Sequence, residues 1–146
     1  MKTIIVVIVL CGAALAGLYY FGGFSSFDPN QQGREAKAAI TPGMTYQQVL
    51  SAAGDHPKYR SITLKTEKRG GQTLSELQEG PPVDFDRKRV DGRVAKNEVP
   101  HGFIFHYVFS DSLAFDVVFD ATGKVAEVRD APTMATLLKY DQDAPR

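Results

Sequence analysis

The sequence predicts an α+β domain behind an N-terminal membrane helix, with short helices packed on one face of a three- to four-stranded antiparallel sheet. Three stretches predict it. Residues 103–109 and 113–119 carry large apolar side chains at every second position, the period of a strand with one buried face. Residues 40–57 hold turn, cap, helix and stop signals in one short run. Residues 3–24 contain no charge at all.

That uncharged run defines the first segment, residues 1–24. As a helix it rises about 33 Å, against a hydrocarbon core of roughly 30 Å. Lys2 favours keeping the N-terminal side cytoplasmic, and Tyr19, Tyr20 and Phe21 would lie at the far interface. Two other readings stay open. Ala14-Leu15-Ala16 has the form of a signal-peptidase site, and Cys11 invites a lipid-anchored reading, although Leu10 precedes it. All three carry the rest of the chain out of the cytoplasm. Residues 25–37 form a polar tether containing Pro29 and Gly33, and residues 34–40 suit a short first helix.

The next element is the best specified. Pro42-Gly43 has the order of a type II turn, with proline presetting φ and glycine supplying a positive φ. Thr45 reads as a helix N-cap, and Gln48 can close a capping box with it. Met44 and Val49 occupy the positions of a hydrophobic staple. Gly54 suits a left-handed residue just past the helix, and Pro57 blocks its resumption.

Residues 58–65 then read as a half-buried strand with Ile62 and Leu64 on one face. Residues 66–101 form a charged, partly ordered excursion containing Gly70-Gly71 and Pro81-Pro82. Within it, Thr73 to Leu77 suits one or two helical turns. Residues 83–85 and 93–95 suit short edge strands around an Asp91-Gly92 turn.

The aromatic hairpin follows. A three-residue loop at 110–112 would set Phe109 opposite Leu113, Tyr107 opposite Phe115, Phe105 opposite Val117 and Phe103 opposite Phe119. The helix bearing Val49 and Leu50 would cover that face, leaving His106 and Asp116 on an opposite face that is at least partly wet. Asp120 to Gly123 makes the next turn and residues 124–130 the last strand. The domain spans residues 38–132, and 133–146 form a tail with a terminal helical turn.

Two of these stretches together resemble a known pattern. Pro42-Gly43-Met44-Thr45, then Gln48-Val49, Gly54 and Pro57, resembles the opening motif of the SmpA/OmlA (BamE-like) family of envelope domains. Residues 103–109 resemble the aromatic strand of its meander, and Val117 to Val125, with Phe119-Asp120 and Gly123-Lys124-Val125, resemble its ending. The resemblance implies a non-catalytic scaffold that holds envelope protein partners, with components of outer-membrane β-barrel assembly foremost. The charged excursion departs from the family's compact pattern.

Composition narrows the remaining chemistry. The 146 residues carry a formal net charge of zero, so no electrostatic footprint for nucleic acid exists. A lone Cys11 supports neither a disulfide framework nor a thiolate metal site. His56, His101 and His106 show no metal-ligand spacing, and no serine sits in a nucleophile elbow. The expectation is no catalytic residue, no metal and no cofactor. Arg87, Lys88 and Arg89 form the densest basic run; acidic neighbours suit a solvated loop, while a nearby membrane would suit contact with anionic lipid. A membrane-tethered interaction module with an unrelated envelope partner is the alternative. A small enzyme or ligand carrier with a polar pocket around His106 is the third.

Overall fold

The computed structural model describes residues 28–135. The element order is α1 (Pro29–Ala39), α2 (Tyr46–Ala53), β1 (Lys58–Arg69), β2 (Gln72–Glu79), β3 (Val83–Asp84), α3 (Arg87–Ala95), β4 (Phe103–Ser110), β5 (Leu113–Phe119) and β6 (Val125–Asp130). The strands run antiparallel in the order β2-β1-β4-β5-β6, with β3 paired to the start of β1. The expected sheet of three to four strands is therefore corrected to six, because the excursion supplies β2, β3 and the last third of β1. The expected membrane helix lies outside the described residues, as does most of the tail. No helix among the described residues is long and apolar enough to cross a membrane.

The core forms where the sequence alternates. Phe103, Phe105, Phe115 and Val117 are fully buried, and Phe119 is 1% exposed. Their pairing is Phe103 with Phe119, Phe105 with Val117 and Tyr107 with Phe115. The rings interlock: Phe103 stacks on Phe119 at 4.8 Å, while Phe105 meets Phe119 edge-on at the same distance. Such pairs add roughly 0.5–1.5 kcal/mol beyond area burial. One detail differs from expectation. A bulge at Phe109 lets Ser110 pair with Leu113 across a two-residue turn, so Phe109 does not face Leu113.

The helices cover this face. Val49 of α2 is fully buried and Leu50 nearly so, joined by Tyr46, Ala36 and Ile40. Helix α1 is longer than the sequence suggested and replaces much of the expected tether, because Asp28 caps it and Pro29 sits in its first turn. Its Asn30 accepts from Ser110 Oγ at 2.6 Å, fastening the helix to the β4–β5 turn.

Two segments of the excursion exchange roles. Residues 73–77, read as helical, lie in β2, where a continuous ladder with β1 overrides local propensity. Residues 93–95, read as strand, end α3. Asp86 caps this helix at its start by accepting from Arg89 N. Asn97, at φ 54°, ends it in a Schellman arrangement, with Glu98 N donating to Arg93 O at 2.8 Å. Val90 and Val94 supply the inward stripe.

Candidate functional site

The motif residues form a clasp. Pro42-Gly43 makes the turn, Met44 N donates to Thr41 O at 3.3 Å, and Gly43 sits at φ +88°. Thr45 Oγ1 accepts from Gln48 N at 3.3 Å, and Gln48 Oε1 from Thr45 N at 2.9 Å, completing the capping box. Met44 packs against the core that contains fully buried Val49. Gly54 N closes α2 on Leu50 O, and at φ 106°, ψ 154° this residue takes the positive φ expected of a glycine there, although its ψ is not that of the left-handed helix. Its carbonyl accepts from Tyr107 Oη at 2.9 Å. Pro57 is buried beyond it.

The two halves of the motif meet. Gly43 N donates to Val125 O at 2.8 Å, Val125 N to Met44 O at 2.8 Å, and Tyr46 N to Gly123 O at 2.9 Å. Asp120 holds the receiving turn, its Oδ1 accepting from Thr122 N, Thr122 Oγ1 and Lys124 N. The Thr122 hydroxyl bond is the main reason its carboxyl titrates below the usual range. Tyr46 donates from its hydroxyl to Asp91 on α3 at 2.5 Å. Burial, reinforced by that carboxylate, pushes its phenol up to about 12. The clasp thus ties α2, α3 and the β5–β6 turn together through backbone and buried phenol.

The basic run does not become a patch. Arg87, Lys88 and Arg89 occupy the first turn of α3, so their side chains diverge by about 100° each. Arg89 lines a cleft of about 460 Å³ with Arg93, Tyr59 and Ser61, while Asp84 and Asp86 line it too. Arg93 Nη1 donates to Tyr59 Oη at 3.3 Å.

The opposite face of the sheet holds a second cluster that the sequence reading missed. Asp116, with a side chain only 4% exposed, receives His106 at 2.7 Å, Arg129 at 3.4 Å and Arg60 at 3.5 Å. Glu79 of β2 bonds both guanidiniums, at 3.2 Å to Arg60 and 2.5 Å to Arg129. That last contact joins the two outer strands. A flat sheet would hold them about 19 Å apart, four spacings of roughly 4.8 Å, so the sheet must curl around this face. The face is partly wet as expected, with Val108 62% exposed, but Asp116 itself is buried. The Glu79 hydrogen bond is the leading reason that Arg129 holds its proton more tightly than usual. His106 and Asp116 share the geometry of a base and its orienting acid, but the carboxylate is already engaged by two arginines. Among the described residues no group of His, Cys, Asp and Glu could hold a metal ion. A signal for the cluster was present: Asp116 falls at an outward position between Phe115 and Val117.

The third feature is an arm. Beyond Ser61, β1 leaves β4 and pairs only with β2, out to a Gly70-Gly71 turn. Leu64, Leu74 and Leu77 on this ribbon are 48%, 54% and 57% exposed. Comparison with protein-family models, with curated proteins and with solved structures returns no match to this chain.

Proposed function

We propose that the chain is a non-catalytic envelope protein whose domain holds other proteins, as the SmpA/OmlA resemblance implies, with β-barrel assembly components as the first candidates. The observation that carries this reading is the clasp. The two motif stretches, far apart in sequence, hydrogen-bond to each other through Gly43, Met44, Tyr46, Gly123 and Val125. A chance likeness in two separate segments gives no reason for that union. The exposed leucines of the arm support an interaction role, and the saturated Asp116 supports the absence of catalysis. On this reading the domain works outside the cytoplasm beside a membrane, where Arg87, Lys88 and Arg89 are available to anionic headgroups.

The test is crosslinking in native membranes followed by recovery of the tagged full-length chain. Recovery of β-barrel assembly components supports the proposal, and their reproducible absence overturns that partner assignment. A second reading, an interaction module for an unrelated envelope partner, is favoured by the arm, which departs from the family's compact meander. It predicts a different but reproducible set of crosslinked proteins.

A further inference from the structure

The arm has two open edges, and they differ. Along residues 62–69 the open edge of β1 carries Lys65, Lys68 and Arg69, cations of the kind that discourage strand addition. Strand β2 carries no cation and no proline from Gln72 to Glu79. We propose that β2 is a self-association edge, on which a second copy of this chain lays its own β2 antiparallel across a two-fold axis at Leu77.

The backbone sets which residues can do this. Gly80 N donates to Ser61 O, so hydrogen-bonded and non-bonded pairs alternate outward from that point. Ser75, Leu77 and Glu79 therefore turn their amide and carbonyl groups away from β1. A two-fold pairing must match these outward-turned residues with each other. An axis at Leu77 sets Leu77 against the second copy's Leu77, and Ser75 against its Glu79. Glu76 then faces Gln78, so no two carboxylates oppose.

Side chains select this register over its neighbours: an axis at Glu76 would oppose two carboxylates, and one at Gln78 would set each Leu77 against Glu79. Leu77 already lies directly opposite Leu64 within the arm. The axis at Leu77 thus continues a row of four leucines, Leu64 and Leu77 from each copy, on one face of a four-stranded sheet. An axis at Ser75 would instead set each Leu77 against a threonine and break the row. A two-stranded ribbon is at best marginally stable in water, whereas four strands with an apolar row are not so limited. Pairing β1 to β2 of the next copy would match basic with acidic edges but would not close, and would give open chains.

The experiment is sedimentation of the purified full-length chain in detergent micelles over a concentration series. The parent should form a dimer and nothing larger. Leu77→Lys and Leu77→Glu each set like charges across the axis and should weaken the dimer at least tenfold. An equal mixture of the two should restore it as a heterodimer, identified by tags of different mass. Leu77 is more than half exposed, so both variants should keep the parent's circular dichroism. A parent that stays monomeric, a dimer indifferent to both variants, a mixture that fails to rescue, or growth beyond dimers would each overturn the proposal. None of these readouts involves an envelope partner, so failure here and failure of the proposed function are distinguishable.

Discussion

Two of the hairpins among the described residues are built alike and stabilised differently. Strands β4 and β5 meet across Asp111-Ser112; β1 and β2 meet across Gly70-Gly71. Both are antiparallel ladders with two-residue turns. Yet Phe103, Phe105, Phe115 and Val117 of the first are fully buried, while every residue of β2 before Glu79 is exposed. Ladder hydrogen bonds are common to both, so they cannot account for a difference in stability. Burial can. The body hairpin is held by an aromatic face that α1 and α2 cover, whereas the arm rests on cross-strand pairs of about 0.2–1 kcal/mol each and on its root. That root is the ionic cluster, where Glu79 of the arm grips Arg60 and Arg129.

The sharpest break of this contrast is Phe105→Ala against Leu74→Ala. Truncating a buried phenylalanine costs about 3–5 kcal/mol, a large share of a small domain's roughly 5–15 kcal/mol. Leu74 is 54% exposed, so its truncation should stay within about 0.5 kcal/mol. Equilibrium urea denaturation of both variants measures the gap. Equal losses would mean that the arm packs as tightly as the body.

Asp116→Ala tests the root itself. The substitution removes one of the two carboxylates that Arg60 and Arg129 share, leaving both on Glu79 alone and His106 without its partner. Removing one partner of a buried pair costs about 3–5 kcal/mol, and the partial exposure of both arginines reduces this to about 2–4 kcal/mol. Amide exchange should rise across β2 more than across β5. Uniform exchange over both hairpins would show that the cluster does not fasten the arm.

Gly43→Val should act on the body and spare the arm. A Cβ at this position meets nothing within 4 Å, so the penalty comes from the backbone at φ +88° alone. Positive φ costs ordinary residues about 1–2 kcal/mol, and β-branched valine sits at the upper end. A urea midpoint equal to the parent's would show that the turn can adopt another conformation.

Legibility in the sequence followed the same division. The hairpin at 103–119 was readable because one buried face leaves a period of two, and its central pairs stand as the alternation implies. Turn, capping box and helix at 42–53 were readable because each signal is local. The arm left no such trace. With neither face of 66–77 buried, selection for alternation is absent, and Thr73 with Glu76 gave a helix signal that strand pairing overrode. Helix α3 was hidden by Asp91-Gly92, although Asp86 ahead of Val90 and Val94 marked its cap and stripe. The ionic cluster joins residues from five strands, and no local spacing encodes such a meeting. The bulge at Phe109 likewise has no local signal: it sits where Ser110 bonds Asn30 of α1, a residue 80 positions away.

Acid should separate the two regions by the smallest but most specific margin. The body's β5–β6 turn depends on Asp120, whose Oδ1 accepts at 2.8 Å from Thr122 N, 2.7 Å from its hydroxyl and 3.1 Å from Lys124 N. The arm's Gly70-Gly71 turn contains no titratable group. Because these bonds lower the folded-state pKa of Asp120, its contribution is fully present above the unfolded value near 3.9. It is lost as pH falls from there through the lower folded value. Asp120 is exposed, so solvent screening limits the effect to a few tenths up to about 1 kcal/mol. Asp120→Asn keeps an acceptor but removes the charge, and its urea midpoint should change less than the parent's between pH 6 and strongly acidic conditions. Parallel acid curves for parent and variant would remove Asp120 as the source. Amide exchange at Thr122 and Lys124 should rise over the same interval, while the residues flanking Gly70-Gly71 keep the pH dependence of an open turn throughout.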